Sequence, residues 1–266
     1  MPPLDGRVAL VTGAFGRLGP VWCSALLDAG ALVAAVDRPG ATRTTAFREL
    51  ETAAGTRLRT YAADVLDRPA LDAVRDRCTA ELGGAPTVLV NNAGVDSPPG
   101  PAVTYRIEDV PLEVFRGVLE VNLVGAFHAA QVFGPAMVRA GRGSIINIGS
   151  LYATVSPDAR FYDHLPTDPP FLKPPAYGAS KAGLLNLTRY LATHWGPSGV
   201  RVNALSPGGV EGGQDPEFKR KFIGRVPLSR MAAPDDLRGP LIFLASEMSS
   251  YVTGIELRVD GGFTAW

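Results

Sequence analysis

The sequence predicts an α/β protein: a doubly wound parallel sheet of about seven strands with helices on both faces. Three observations carry this. Short apolar runs alternate with longer stretches of helical period, the order expected of βαβ units with right-handed crossovers. The apolar runs are near-continuous, as in strands covered on both faces. Polar or turn-forming residues (Asp37, Asp64, Asn91, Ser150 and Pro207-Gly208) stand at or just past the ends of these runs. A doubly wound sheet binds its ligands beyond those carboxyl ends.

In chain order, Val8–Thr12 is a strand that enters a glycine-rich turn, and Leu18–Ala29 is a helix stopped by Gly30. Ala31–Val36 and Leu58–Ala63 are strands ending at Asp37 and Asp64, and Pro69–Leu82 is helical. Thr87–Val90 leads into Asn91-Asn92-Ala93-Gly94. Leu112–Arg139 reads as one long helix closed by Gly141. Ser144–Ile148 is a strand, Ala176–Trp195 a helix, Val200–Leu205 a strand, Pro234–Ala245 a helix and Gly254–Val259 the last strand. With no linker, repeat or low-complexity tract, residues 1–266 read as a single nucleotide-binding domain. Substrate loops are expected at about 96–104, 151–176 and 209–230. The first holds Ser97-Pro98-Pro99-Gly100-Pro101. The second is rich in proline (Pro157, Pro166, Pro169, Pro170, Pro174, Pro175), and at that length it reads as a lid on the substrate side.

Of the 266 residues, 46% are hydrophobic and 20% charged, and the formal net charge is zero. That balance supports a large core and lacks the basic footprint of a nucleic-acid binder. Cys23 and Cys78 have neither metal spacing nor a disulfide-framework pattern, so no metal is expected and a reducing compartment fits better. Neither a leader nor a run of about 18 apolar residues is read, so the expectation is a cytoplasmic protein without a membrane partner.

Thr12-Gly13-Ala14-Phe15-Gly16-Arg17-Leu18-Gly19 follows a strand and opens a helix. Glycines there allow a tight turn and close approach of a diphosphate, and the helix N-terminus supplies unpaired N–H groups. Asp37 ends the next strand, where a carboxylate meets a ribose 2′-hydroxyl and repels a 2′-phosphate. This favours NAD over NADP. Arg38, the next residue, is the one able to pair with a 2′-phosphate.

Tyr177-Gly178-Ala179-Ser180-Lys181 places a phenol and an ammonium on one helix face. A free tyrosine has a pKa of about 10, so its phenolate costs about 4 kcal/mol at pH 7 unless the site stabilises it. A nearby cation does so. Taken with the other motifs, the chain resembles the short-chain dehydrogenase/reductase family over nearly its whole length. The family's Thr-Gly-x-x-x-Gly-x-Gly is approached at Thr12–Gly19, and Asn-Asn-Ala-Gly is intact at Asn91–Gly94. Tyr-x-x-x-Lys is Tyr177–Lys181, preceded by Ser150, and Asn122 lies in Val121-Asn122-Leu123. Pro207-Gly208 and Val259-Asp260-Gly261-Gly262 complete the pattern.

The resemblance implies a Rossmann-type fold and residue roles. Tyr177 would exchange a proton with the substrate hydroxyl, and Ser150 would hold the same oxygen. Lys181 would depress the tyrosine pKa and bind the nicotinamide ribose. Asn122 would hold a water that relays protons from Lys181. On the cofactor side it implies Gly13, Phe15, Arg17, Leu18 and Gly19 at the diphosphate, with Asp37 at the ribose. Asp64 with Val65 would contact adenine. Asn91, Ala93 and Gly94 would shape the adenosine side, and Pro207, Gly208 and Val210 would lie along the nicotinamide.

Three departures stand out. Arg17 occupies a family glycine position, with Gly16 one place early. Gly212 stands where the family often has a threonine gripping the carboxamide, which passes that task to the Val210 backbone or another group. The Ser150–Tyr177 interval is long. The lid carries Asp158, Arg160, Tyr162, Asp163, His164, Asp168 and Lys173, a density of hydrogen-bonding groups that suits a sugar or polyol derivative. The expected activity is hydride transfer between NAD(H) and such a secondary alcohol or ketone. The rivals are an NADPH-dependent 3-oxoacyl or other hydrophobic ketone reductase and a non-catalytic nucleotide sensor. The expected partners are the small-molecule substrate and copies of the chain itself, as a dimer or tetramer.

Overall fold

The computed structural model describes Pro3–Asp96 and Thr104–Trp266. The Ser97–Pro101 turn expected in the first substrate loop lies outside the described residues. Among the described residues, seven strands form one sheet: β1 (Val8–Thr12), β2 (Leu32–Asp37), β3 (Leu58–Ala62), β4 (Val88–Asn91), β5 (Gly143–Ile148), β6 (Val200–Pro207) and β7 (Glu256–Val259). Their order is β3-β2-β1-β4-β5-β6-β7, every pair parallel. The order reverses between β1 and β4, the switch point beside which such sheets bind ligands.

Alternate strand residues feed two cores. Ala9 and Val11 of β1 join one face, under α1 (Gly19–Asp28), α2 (Thr45–Ala54) and α8 (Arg238–Ala245). Val8 and Leu10 join the other, under α3 (Arg68–Glu81), α5 (Gly125–Arg139) and α6 (Pro175–Trp195). Each fully buried leucine, isoleucine or valine contributes about 1.5–3 kcal/mol, and the central strands β1, β4 and β5 carry three each. That is why their apolar runs are continuous.

Leu112–Arg139, expected as one helix, is α4 (Leu112–Leu119), a π turn at Glu120–Val124, and α5. The wider turn buries Asn122, whose amide the Val95 backbone satisfies on both sides. By length and composition this segment also passes as a bilayer span, contrary to the composition-level reading. Half of its most apolar window is buried in the fold, where α5 packs on β4, β5 and α6.

Helix α2 and helix α7 (Pro216–Ile223) were not legible as periodic stripes, because each buries only one or two side chains. Their caps carry the local signal instead: Thr44 accepts from the Phe47 N–H, and Asp215 from Glu217 and Phe218.

The proline-rich lid is ordered. It forms short 3₁₀ turns at Leu151–Ala153 and Ala159–Phe161 and packs an aromatic core of its own. Phe161 sits 5.8–6.3 Å, ring to ring, from Phe218, Phe222 and Phe263, and Tyr162 stacks on Phe218 at 5.3 Å.

Candidate active site

The phosphate turn is shaped by what it cannot hold. Gly13 adopts φ +63°, and a Cβ there would stand 2.7 Å from Ala93 Cα. At Gly19 it would meet the Ala14 carbonyl oxygen at 2.0 Å, whereas at Gly16 the nearest atom is 3.4 Å away. Gly13 and Gly19 are therefore the glycines this turn requires. The Leu18 N-cap offers no side-chain bond to the first turn of α1, leaving its N–H groups and partial positive charge for an anion.

The turn is laced to β4 by a residue that sequence reasoning passed over. Asn92 donates to the carbonyls of Thr12 (3.1 Å) and Gly13 (2.9 Å) and accepts from the buried Trp22 indole at 2.7 Å. Thr12 Oγ1 accepts from the N–H groups of Asn92 and Ala93. Asn91 instead turns into the core, donating to Asn147, which donates to Thr188. That buried chain ties β4, β5 and α6 together.

Asp37 binds the turn itself. It accepts from the Phe15 N–H (2.8 Å) and, through its other oxygen, from the Arg38 N–H (2.8 Å). Phe15, expected at the cofactor, turns its ring into the core against Phe47, with the Arg43 guanidinium over it. Val65 packs where a Gly125 Cβ would collide, with its carbonyl at His128, and Asp64 accepts from the Leu66 N–H. Gly94 lies beside Asn122 and Lys181. Gly208 has no room for a Cβ, which would stand 2.7 Å from Asp260 Cα.

The carboxyl end of β5 and the first turns of α6 bring Ser150, Tyr177 and Lys181 together. Ser150 lies beside the Tyr177 phenol, near enough to oppose the effect of burial on it, and its Oγ accepts from the Tyr152 N–H at 3.2 Å. Lys181 is buried, lies 5.8 Å from the Tyr177 ring centroid and donates to the Ile148 carbonyl at 2.8 Å. Asn122 accepts from the Val95 N–H (2.7 Å) and donates to the Val95 carbonyl and to Ser180 Oγ (3.0 Å). Its amide thus braces the end of β4 against α6.

Electrostatics here departs from the sequence expectation. Burial pushes the Tyr177 phenol above its ordinary value, Asp96 adds to the push, and the neighbouring Ser150 hydroxyl opposes it. Burial also lowers the Lys181 ammonium to about 8, with Asp96 opposing. Lys181 spends its closest contact on Ile148, so in this dry pocket desolvation outweighs its pull on the phenol.

The lid's polar residues are mostly engaged elsewhere. Asp158 pairs with Arg160 and Arg225, Asp163 with Lys221, and His164 with Asp215. They latch the lid to α7 and the chain after it, which corrects their reading as a group of substrate ligands. Lys173 is the exception. Its side chain is covered, paired with the exposed Asp96 at 2.6 Å, and 5.3 Å from the Tyr177 ring centroid.

A glycine-shaped turn with an open helix start at the switch point, and a Ser150–Tyr177–Lys181 set at the end of β5 and the start of α6, fit one class: dinucleotide-dependent oxidoreductases that use a phenol as acid/base. Residues 7–162 match the family model described as short chain dehydrogenase, and residues 168–264 one described as Enoyl-(Acyl carrier protein) reductase. The chain is 36% identical to galactitol 2-dehydrogenase (L-tagatose-forming) of Cereibacter sphaeroides, covering 99% of this chain and 97% of that one. A gluconate 5-dehydrogenase from Burkholderia cenocepacia J2315, solved with NADP and tartrate, is 30% identical at a TM-score of 0.84, covering 99% and 97%. A short chain dehydrogenase from Leptospira borgpetersenii, solved with NAD+, is 32% identical at 0.84, covering 98% and 94%.

The chain belongs to the short-chain dehydrogenase/reductase family. It is an oxidoreductase acting on CH–OH groups, moving hydride between a nicotinamide dinucleotide and a secondary alcohol or ketone.

Proposed function

We propose that the chain oxidises a secondary hydroxyl of a sugar or polyol derivative with NAD+, with Tyr177 as the base. One observation carries the reading: Ser150 lies beside the Tyr177 phenol, and Lys181 is buried one helical turn onward, 5.8 Å from the Tyr177 ring centroid. The nicotinamide supplies the hydride acceptor, and the protein's part is orientation and proton transfer. Ser150 holds the substrate oxygen against the phenol, Tyr177 takes its proton, and Lys181 keeps a positive charge near the developing phenolate. The cradle at Gly13 and Gly19, the uncapped start of α1 and Asp37 at the end of β2 fit a dinucleotide.

The polyol class is supported by the Lys173–Asp96 pair beside the phenol, with the lysine side chain covered and the carboxylate open to solvent. It gives this wall an ammonium and a carboxylate able to hydrogen-bond hydroxyls next to the reacting carbon. Galactitol and gluconate, named for two relatives, are both polyhydroxylated. NAD is supported by Asp37, whose carboxylate repels a 2′-phosphate. Copies of the chain are the natural partners, since Leu112, Val114 and Phe127 on α4 and α5, and Tyr190 on α6, are exposed apolar residues.

The test is NAD+ reduction with a panel of alditols and aldonates. Wild type turns over at least one of them, with kcat/KM for NAD+ at least about tenfold above that for NADP+. Tyr177→Phe loses about 10²–10⁴ in kcat while its NADH Kd stays within about threefold of wild type. Undiminished turnover by Tyr177→Phe refutes the mechanism. NADH binding without turnover of any panel member, or of any simple secondary alcohol, returns the reading to a sensor.

A further inference from the structure

Two of the chain's departures from its family pattern meet in space. Arg17 stands in a glycine position of the phosphate turn, and Gly212 in a threonine position of the loop after β6. A Cβ built on Gly212 would lie 2.2 Å from Arg17 Nη2 and 2.6 Å from its Cζ. The guanidinium therefore fills the volume that a side chain at 212 would need.

It is also anchored there. Arg17 Nη2 donates to the Val210 carbonyl at 2.7 Å, and Gln214 Nε2 donates to the same oxygen at 2.7 Å. Val210 bridges Ala232 through the Gly209 carbonyl and the Glu211 N–H, which turns its own carbonyl to the opposite side, toward the phosphate turn.

We propose that Arg17 and Gly212 form one device, a guanidinium clamp over the dinucleotide's diphosphate, seated where a side chain at 212 would otherwise stand. The inference rests on the nucleotide reading above. Arg17 is rooted between Gly16 and Leu18, at the mouth of α1, and its tip rests on the loop that follows β6. A diphosphate at the start of α1 and a nicotinamide along Pro207–Val210 are joined by a segment that runs the same course. A guanidinium carries five N–H donors in a fork matched to phosphate oxygens, and one donation to Val210 leaves the others for them. Gly212 is the complementary change: with no side chain, it makes room for the group that replaces the threonine.

The experiment is NADH titration, read by nucleotide fluorescence, on wild type, Arg17→Gly, Gly212→Thr and the double variant, at low and high salt. Arg17→Gly weakens binding about three- to tenfold at low salt and less at high salt, as expected for a charge contact open to solvent. Gly212→Thr weakens it about tenfold, because the new side chain displaces the guanidinium. The double variant binds more tightly than Gly212→Thr alone, since the clash is gone. Gly212→Ala, whose methyl meets the same guanidinium, repeats the test in case the threonine lowers the thermal midpoint.

Independent, multiplying effects of the two substitutions overturn the clamp, as does a salt-independent Arg17→Gly loss or a Gly212→Thr Kd within about twofold of wild type. Those results leave the nucleotide reading standing. A wild type that binds no nicotinamide dinucleotide overturns both.

Discussion

Lys181→Met removes a charge that the fold holds at a cost. The ammonium is buried, and burial lowers it from 10.5 to about 8. A shift of that size corresponds to about 3 kcal/mol of destabilisation while the lysine is charged in both folded and unfolded chains. The variant also loses the hydrogen bond to the Ile148 carbonyl, worth about 1 kcal/mol. At pH 7 it should therefore be more stable than wild type by about 2 kcal/mol, although its turnover falls by about 10² or more.

The sign reverses with pH. Below about 8 both forms of the wild-type chain keep the proton and the penalty is complete. Between about 8 and 10.5 the unfolded chain holds a proton that the folded one has released, so wild-type stability rises relative to the variant. Above that window the variant is the weaker by about the one lost hydrogen bond. Urea unfolding of both proteins at pH 7 and across that window, followed by tryptophan fluorescence, reads the difference. Because the difference is taken between two proteins, the buried tyrosines and cysteines remote from Lys181, which titrate in this range only in the unfolded chain, cancel. A variant less stable at pH 7, with a difference flat in pH, refutes the account of Lys181 as a desolvated ammonium.

Asn92→Ala removes three hydrogen bonds and leaves the Trp22 indole N–H buried without its acceptor. The expected loss in urea unfolding is about 2–4 kcal/mol, with weaker NADH binding as the phosphate turn loses its brace. A loss under about 1 kcal/mol counts against that bracing. Phe161→Ala empties the centre of the lid's aromatic core, locally about 3–5 kcal/mol. Limited proteolysis should then cut within residues 156–170 at least about tenfold faster, with substrate KM raised. Unchanged cleavage would mean that the ion pairs to α7 hold the lid unaided.

Much of this protein is legible in its order of residues. Continuous apolar runs such as Val8–Val11 report strands covered on two sides, because the period of burial is a local property of the chain. Gly13 and Gly19, and the four-residue step from Tyr177 to Lys181, likewise express backbone geometry that a few neighbouring residues dictate. Helices α2 and α7 escape such reading, since one buried phenylalanine in each makes no period.

Tertiary structure alone decided the rest. It put the lid's Asp163 and His164 against α7 and its cap and turned its aromatic residues inward. It also let Gly212 receive Arg17, and it made burial, not Lys181, dominate the phenol. Each of these depends on which distant groups displace water from a side chain. Desolvation and packing are properties of the assembled volume, which no run of adjacent residues encodes.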